Sequence, residues 1–257
     1  MHLRSYIVGV KLFGVLLLVV GSLCAQTDRG GLDEGFDQPV KTTVVDFGPS
    51  PYYRPIRHVR RKLTCYYYST FTVKQYDEGQ KGAEWLSIVP LAHARCTPAH
   101  SKGENILTWR EWSGYFWGAK DRYAVFVAPD GEDGGLPFAV FDVKTGRRLF
   151  EDASLLDYYQ KTLQIKNAFR ISSGADPITR LTYFRVVPAG CNLKTEHADC
   201  WNKIRAEFGI TQTDIPVCSR YEQADWESAI AYPVSVLLTD SPQIKAVDGP
   251  VFCWPTD

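Results

Sequence analysis

The chain has 257 residues, of which 29 are basic and 29 acidic, and 13% are aromatic. That balance gives no global reason to expect a nucleic-acid partner. The 45% hydrophobic content is enough to bury a full core in one domain or two small ones.

Residues 1–25 read as a secretory signal peptide. Arg4 and Lys11 precede the apolar run 12–20, and Ser22-Leu23-Cys24-Ala25 leads into polar Gln26-Thr27-Asp28. Cleavage is expected after Ala25, because the run is shorter than the ~20 residues of a membrane span. The expected location is therefore exported, periplasmic or extracellular. Six cysteines follow: Cys65, Cys96, Cys191, Cys200, Cys218 and Cys253. An even number, with no C-x-x-C pair, points to disulfides in an oxidising compartment. Residues 26–49, with Gly30-Gly31, scattered acids and Pro39, read as a flexible linker. Residues 50–257 are expected to form a single β-rich domain; two subdomains would divide near 165.

The first folded unit reads as a long β-hairpin. In LTCYYYSTFTVKQY, Leu63, Cys65, Tyr67, Phe71 and Val73 alternate with polar residues, the period of a half-buried strand. Glu78–Ala83 is the turn, and Leu86, Ile88, Ala92, Ala94 and Cys96 share a face on the return. A hairpin centred there sets Val73 opposite Ile88, Tyr67 opposite Ala94, and Cys65 opposite Cys96. Opposed residues lie about 4.5–5.5 Å apart, within reach of a disulfide, so Cys65–Cys96 is expected. Pro90 argues for a bulge or an edge position.

A second β unit follows. YAVFV (123–127), PFAVFDV (137–143) and RRLFE (147–151) read as a three-stranded meander with Lys144-Thr145-Gly146 as a tight turn. SLLDYYQKTLQ reads as a short helix capped by Asp152 or Ser154. AFRIS, LTYFRVV and YPVSVLLTD read as strands. TEHADCWNKIRAEFG reads as a helix capped by Thr195, striped by Trp201, Ile204 and Phe208, and ended by Gly209. For the last four cysteines the preferred pairs are Cys200–Cys218 and Cys191–Cys253, with Cys191–Cys200 as the rival.

At AVFDVKTGRRLFE and PVFCWPTD the chain resembles a loosely defined group of small secreted β-rich bacterial proteins with no assigned function. The resemblance covers about the last half of the chain. The meander also resembles one blade of a β-propeller, although only one such unit is visible. Neither resemblance carries a catalytic residue over. The expected fold class is α+β and β-dominated: antiparallel hairpins and a meander, one or two short helices, stapled by disulfides.

Chemical signatures are sparse. His93, Cys96 and His100 have a spacing a metal could use, but Cys96 is assigned to a disulfide. No G-x-S-x-G elbow or phosphate-cradling loop is present. Glu104, Glu111, Asp121 and Asp142 are candidates for two-carboxylate hydrolysis, and spacing singles out none of them. Asp130-Gly131-Glu132-Asp133-Gly134-Gly135 is the one acidic, glycine-rich loop. A helix-loop-helix calcium motif fails there, because Gly134 and Phe141 fall where acids are required. A looser cation site through Asp130, Glu132 and Asp133 stays open; no other metal and no cofactor is expected.

Two features point to binding. Arg54, Arg57, Arg60 and Arg61, with Lys62, stand beside Tyr52 and Tyr53, where they could meet an anionic polymer or an acidic surface. Trp109, Trp112, Tyr115 and Trp117 could form a platform for a sugar or a protein. The leading expectation is a non-catalytic binding protein of the bacterial cell envelope, with a protein or polysaccharide partner. The alternative is a secreted hydrolase acting on an envelope or extracellular polymer through a carboxylate pair.

Overall fold

Short runs of β-branched and aromatic residues between turn residues make most of this chain extended. The computed structural model describes residues 35–52, 59–108, 110–174, 178–218 and 225–256. Among them are fourteen strands and two helices, with every strand pair antiparallel. Residues 1–25, read as a signal peptide, lie outside the described residues.

The smaller sheet contains β1 (Lys41–Pro49), β2 (Arg60–Tyr67), β3 (Thr72–Asp77), β4 (Trp85–Val89) and β5 (Asn105–Leu107), adjacent in that order. The larger begins with β6 (Tyr115–Lys120), β7 (Tyr123–Val127), β8 (Gly135–Asp142) and β9 (Arg148–Leu155). Then come α1 (Asp157–Thr162), β10 (Phe169–Ser173), β11 (Thr179–Pro188) and α2 (Leu193–Phe208). β12 (Ser228–Leu237), β13 (Ile244–Ala246) and β14 (Phe252–Pro255) complete it. Its spatial order is β13-β12-β11-β9-β8-β7-β6, with β10 also on β11 and β14 also on β12.

Strands β7 and β8 are buried on both faces, which is why they read as nearly unbroken apolar runs. Ala124, Phe126, Ala139 and Phe141 meet Phe71, Val73, Leu86 and Ile88 of the smaller sheet. Tyr123, Val125, Phe138 and Val140 face Leu181, Tyr183, Ile230 and Val234 of their own sheet. A sheet whose one face packs on itself must curl, and its ends do meet: Trp117 on β6 lies 4.2 Å, centroid to centroid, from Phe169 on β10. Trp201 and Ile204 of α2 are buried in that concave side. The same cluster runs from Tyr123 to Cys253, across position 165.

The meander forms as read, with β6 added in front of it. The long hairpin does not. Tyr68 N–H donates to Phe71 carbonyl at 2.8 Å, so the chain reverses there and β2 pairs with β3. Val73 faces Ile88, but Tyr67 faces Thr72 and Cys65 faces Lys74. Pro90 has no N–H to continue the ladder, and β4 ends at Val89. Residues 41–49, read as linker, form edge strand β1 against β2. Its polar residues suit an edge, and that is what hid it.

Cys65 and Cys96 are bonded, with Cα atoms 5.9 Å apart. The bond is made by the segment 90–104, which straps the outer face of the smaller sheet, and not by a ladder pair. The other two expected pairings are corrected. Cys191 bonds Cys200, and Cys218 bonds Cys253. Nine residues of unbroken helix would span about 13 Å. α2 is broken at His197 (φ 39°, ψ −109°), which lets Cys200 come within 5.8 Å of Cys191, Cα to Cα. Its cap is Asn192, not Thr195. The Asn192 side-chain oxygen accepts from Lys194 and Thr195 N–H, and Glu196 reaches back to Asn192 N–H at 2.9 Å. Asp152 and Ser154 belong to β9 and do not cap α1, whose cap Leu156 makes no side-chain hydrogen bond.

Candidate functional site

Alternation along β6 separates the aromatic set. Trp112 and Phe116 join the core between the two sheets, with Trp112 only 8% exposed. Tyr115 and Trp117 pack toward the opposite core. The Tyr115 hydroxyl accepts from Gly82 N–H and donates to the Gln80 carbonyl. Trp117 lies against Phe36 and Phe169. The described members therefore divide between two cores; Trp109 lies outside the described residues.

Of the basic group, Arg54 and Arg57 lie outside the described residues. Arg60 pairs with Asp46, and Arg61 donates to the Phe47 carbonyl at 2.8 Å. Both arginines therefore direct donors onto β1.

The acidic loop works as a turn. Asp130 pairs with Lys81, and the backbones of Glu132 and Gly135 bond each other both ways. Asp133 has φ 50°, and its carbonyl accepts from Trp254 Nε1 at 2.9 Å. Among the described residues no three His, Cys, Asp or Glu side chains converge as a metal site.

The other carboxylates also have structural work. Glu111 accepts from Thr108 N–H, Asp121 accepts from the Ser173 and Thr179 hydroxyls, and Asp142 caps the Lys144-Thr145 turn. Glu104 is wholly buried beneath the strap. It pairs with Lys74 at 3.0 Å and accepts from Ser87 Oγ and Ser101 N–H, both at 2.6 Å. Burial opposes its ionisation, but those donors together outweigh burial and hold the carboxyl below its ordinary range.

One feature that sequence reading did not find is a groove of about 640 Å³ at the end of the smaller sheet. Such volumes fall within the ~300–1,000 Å³ usual for ligand sites. Two other cavities, of about 460 and 420 Å³, lie at the acidic loop and at the Asp121–Tyr123 turn. The groove is built from residues 40–41, 67–69 and 93–96. Its parts are fixed independently. Lys41 pairs with Tyr67 in the β1–β2 ladder, and Cys96 is tied to Cys65. The Thr72 hydroxyl donates to the Leu91 carbonyl at 2.7 Å, holding the start of the strap.

Its chemistry is aromatic and cationic. The Lys41 ammonium stands 5.7 Å from the Tyr67 ring centroid. Tyr68 is nearly buried and stacks on Phe71 at 4.6 Å. Burial, with Tyr66 and Asp37 nearby, raises the Tyr68 phenol well above its ordinary value, so it stays neutral. Lys41, Arg95 and His93 line the groove, and among the described residues no carboxylate does. Asp37, the acid that acts on Tyr68, is itself paired with Lys120 at 2.6 Å. A rigid groove of this aromatic and cationic character can receive an anionic ligand.

Among the described residues, no helix is long and apolar enough to cross a membrane. No known family matches the chain, and comparison with curated proteins and with solved structures finds no match.

Proposed function

We propose that this protein is an exported, non-catalytic binding protein of the bacterial cell envelope, and that the groove beside the Cys65–Cys96 disulfide is its binding site. The observation that carries the reading is the groove itself: tyrosine-walled, rimmed by Lys41 and Arg95, and lacking a carboxylate among the described residues. Three disulfides support an oxidising compartment. The ladder and the disulfide hold the walls before any ligand arrives, which lowers the ordering cost of binding.

The test is co-sedimentation of residues 26–257 with purified, protein-stripped bacterial envelope material. The protein is expected to pellet with it, and Arg95→Glu combined with Lys41→Glu is expected to leave it in the supernatant. Wild-type protein that stays soluble, or a double variant that pellets equally, would overturn the proposal.

A further inference from the structure

We infer that the groove takes an acidic polysaccharide strand, bound through sugar carboxylates; this rests on the groove being the binding site. The argument begins with charge. The chain as a whole is balanced, yet among the described residues the groove lining carries Lys41 and Arg95 with no opposing carboxylate. A local surplus of that kind selects an anion.

The second step concerns which anion. An extended peptide would need free backbone groups along the wall to add as a strand. Here the backbone on the β2 side of that wall is committed. Val40 N–H donates to the Tyr67 carbonyl and Tyr68 N–H to the Phe71 carbonyl, both at 2.8 Å, and Lys41 is a ladder partner of Tyr67. What the groove offers is side chains: the half-buried Tyr67 ring, the Ser69 hydroxyl, the His93 ring and two cations. Aromatic rings accept the apolar face of a sugar, hydroxyls and imidazole pair with sugar hydroxyls, and the cations meet carboxylates. A sugar ring resting at Tyr67 brings its carboxylate toward Lys41, because the ammonium already stands over that ring. The disulfide wall is apolar and adds contact without competing charge.

The experiment is calorimetric titration of residues 26–257 with hexagalacturonate, with maltohexaose as the neutral chain and hexaglutamate as the acidic peptide. Hexagalacturonate is expected to bind at least tenfold tighter than either control, with affinity falling as salt rises. Arg95→Glu is expected to weaken it at least tenfold; Arg95 is exposed, so this variant should retain the wild-type melting temperature. If maltohexaose or hexaglutamate binds equally well, the acidic-sugar assignment is overturned. If hexagalacturonate fails to bind while the groove variants still abolish envelope retention, the ligand class is wrong and the groove stands. If it binds and neither Arg95→Glu nor Lys41→Glu changes the affinity, the groove itself is the wrong site.

Discussion

Replacing Glu104 with glutamine leaves the Lys74 ammonium without its counter-charge where water does not reach. Both side chains are fully buried, 3.0 Å apart, and Lys74 retains only the Ala99 carbonyl at 3.3 Å. Breaking a buried pair from one side costs about 3–5 kcal/mol, most of it the uncompensated charge. For a domain of this size about 1 kcal/mol moves the melting temperature by 2–4 °C, so a drop of about 6–20 °C is expected. Removing both charges, as Lys74→Met with Glu104→Leu, should recover most of the loss, since apolar replacements of such pairs are often neutral. The same site sets an acid limit. Glu104's folded pKa lies below its ordinary value of 4.5. Its contribution is therefore complete above about pH 4.5 and is lost as pH falls through the lowered folded value. Urea unfolding of the wild type and the two variants at neutral and acidic pH tests this. A Glu104→Gln protein within about 0.5 kcal/mol of wild type would refute the reasoning, as would a double variant no more stable than the single one.

Three further outcomes follow from the packing. Cys65→Ala with Cys96→Ala opens a loop of sequence separation 31, which loop entropy values at about 3.7 kcal/mol, readable as a shifted urea midpoint. Gly134→Ala places a Cβ 2.7 Å from the Trp254 ring at a residue with φ +80°, so a loss of about 2 kcal/mol or more is expected in thermal melts. Asp152→Ala strands Arg185, which pairs with it at 2.9 Å and otherwise reaches the Tyr232 hydroxyl at 3.1 Å; a loss of about 3 kcal/mol is expected by denaturant titration.

The sequence carried local information well and long-range partners poorly. The meander was legible because its turns are tight and its strands are apolar on both faces. β1 was not, because KTTVVDF is an edge strand whose polar residues look like linker. Val73 opposite Ile88 was readable from the turn between them, but that register could not extend past the reversal at Tyr68–Phe71. The Cys191–Cys200 disulfide depended on a helix break at His197 that no local signal announces. The aromatic run 112–117 looked like one surface, and alternation along β6 split it between two cores. The groove was invisible for a related reason. Its walls come from three segments far apart in sequence, each with an ordinary local explanation.

The strap that makes one wall of the groove is anchored twice, and the anchors divide it. Residues 91–96 are held by the Thr72 hydroxyl, at 2.7 Å from the Leu91 carbonyl and 3.2 Å from the Ala92 carbonyl, and by the disulfide at Cys96. Residues 99–104 are held by Lys74, which reaches both the Ala99 carbonyl and Glu104. Local stability follows local contacts, so each half should open according to its own anchor. Amide hydrogen exchange below the melting temperature reads this directly. Glu104→Gln is expected to accelerate exchange in 99–104 and leave 93–96 near wild type. The Cys65→Ala, Cys96→Ala protein is expected to do the reverse and to lose the groove wall with it. Equal acceleration across 91–104 in either variant would mean that the strap opens as one unit, and that the ion pair as well as the disulfide maintains the groove.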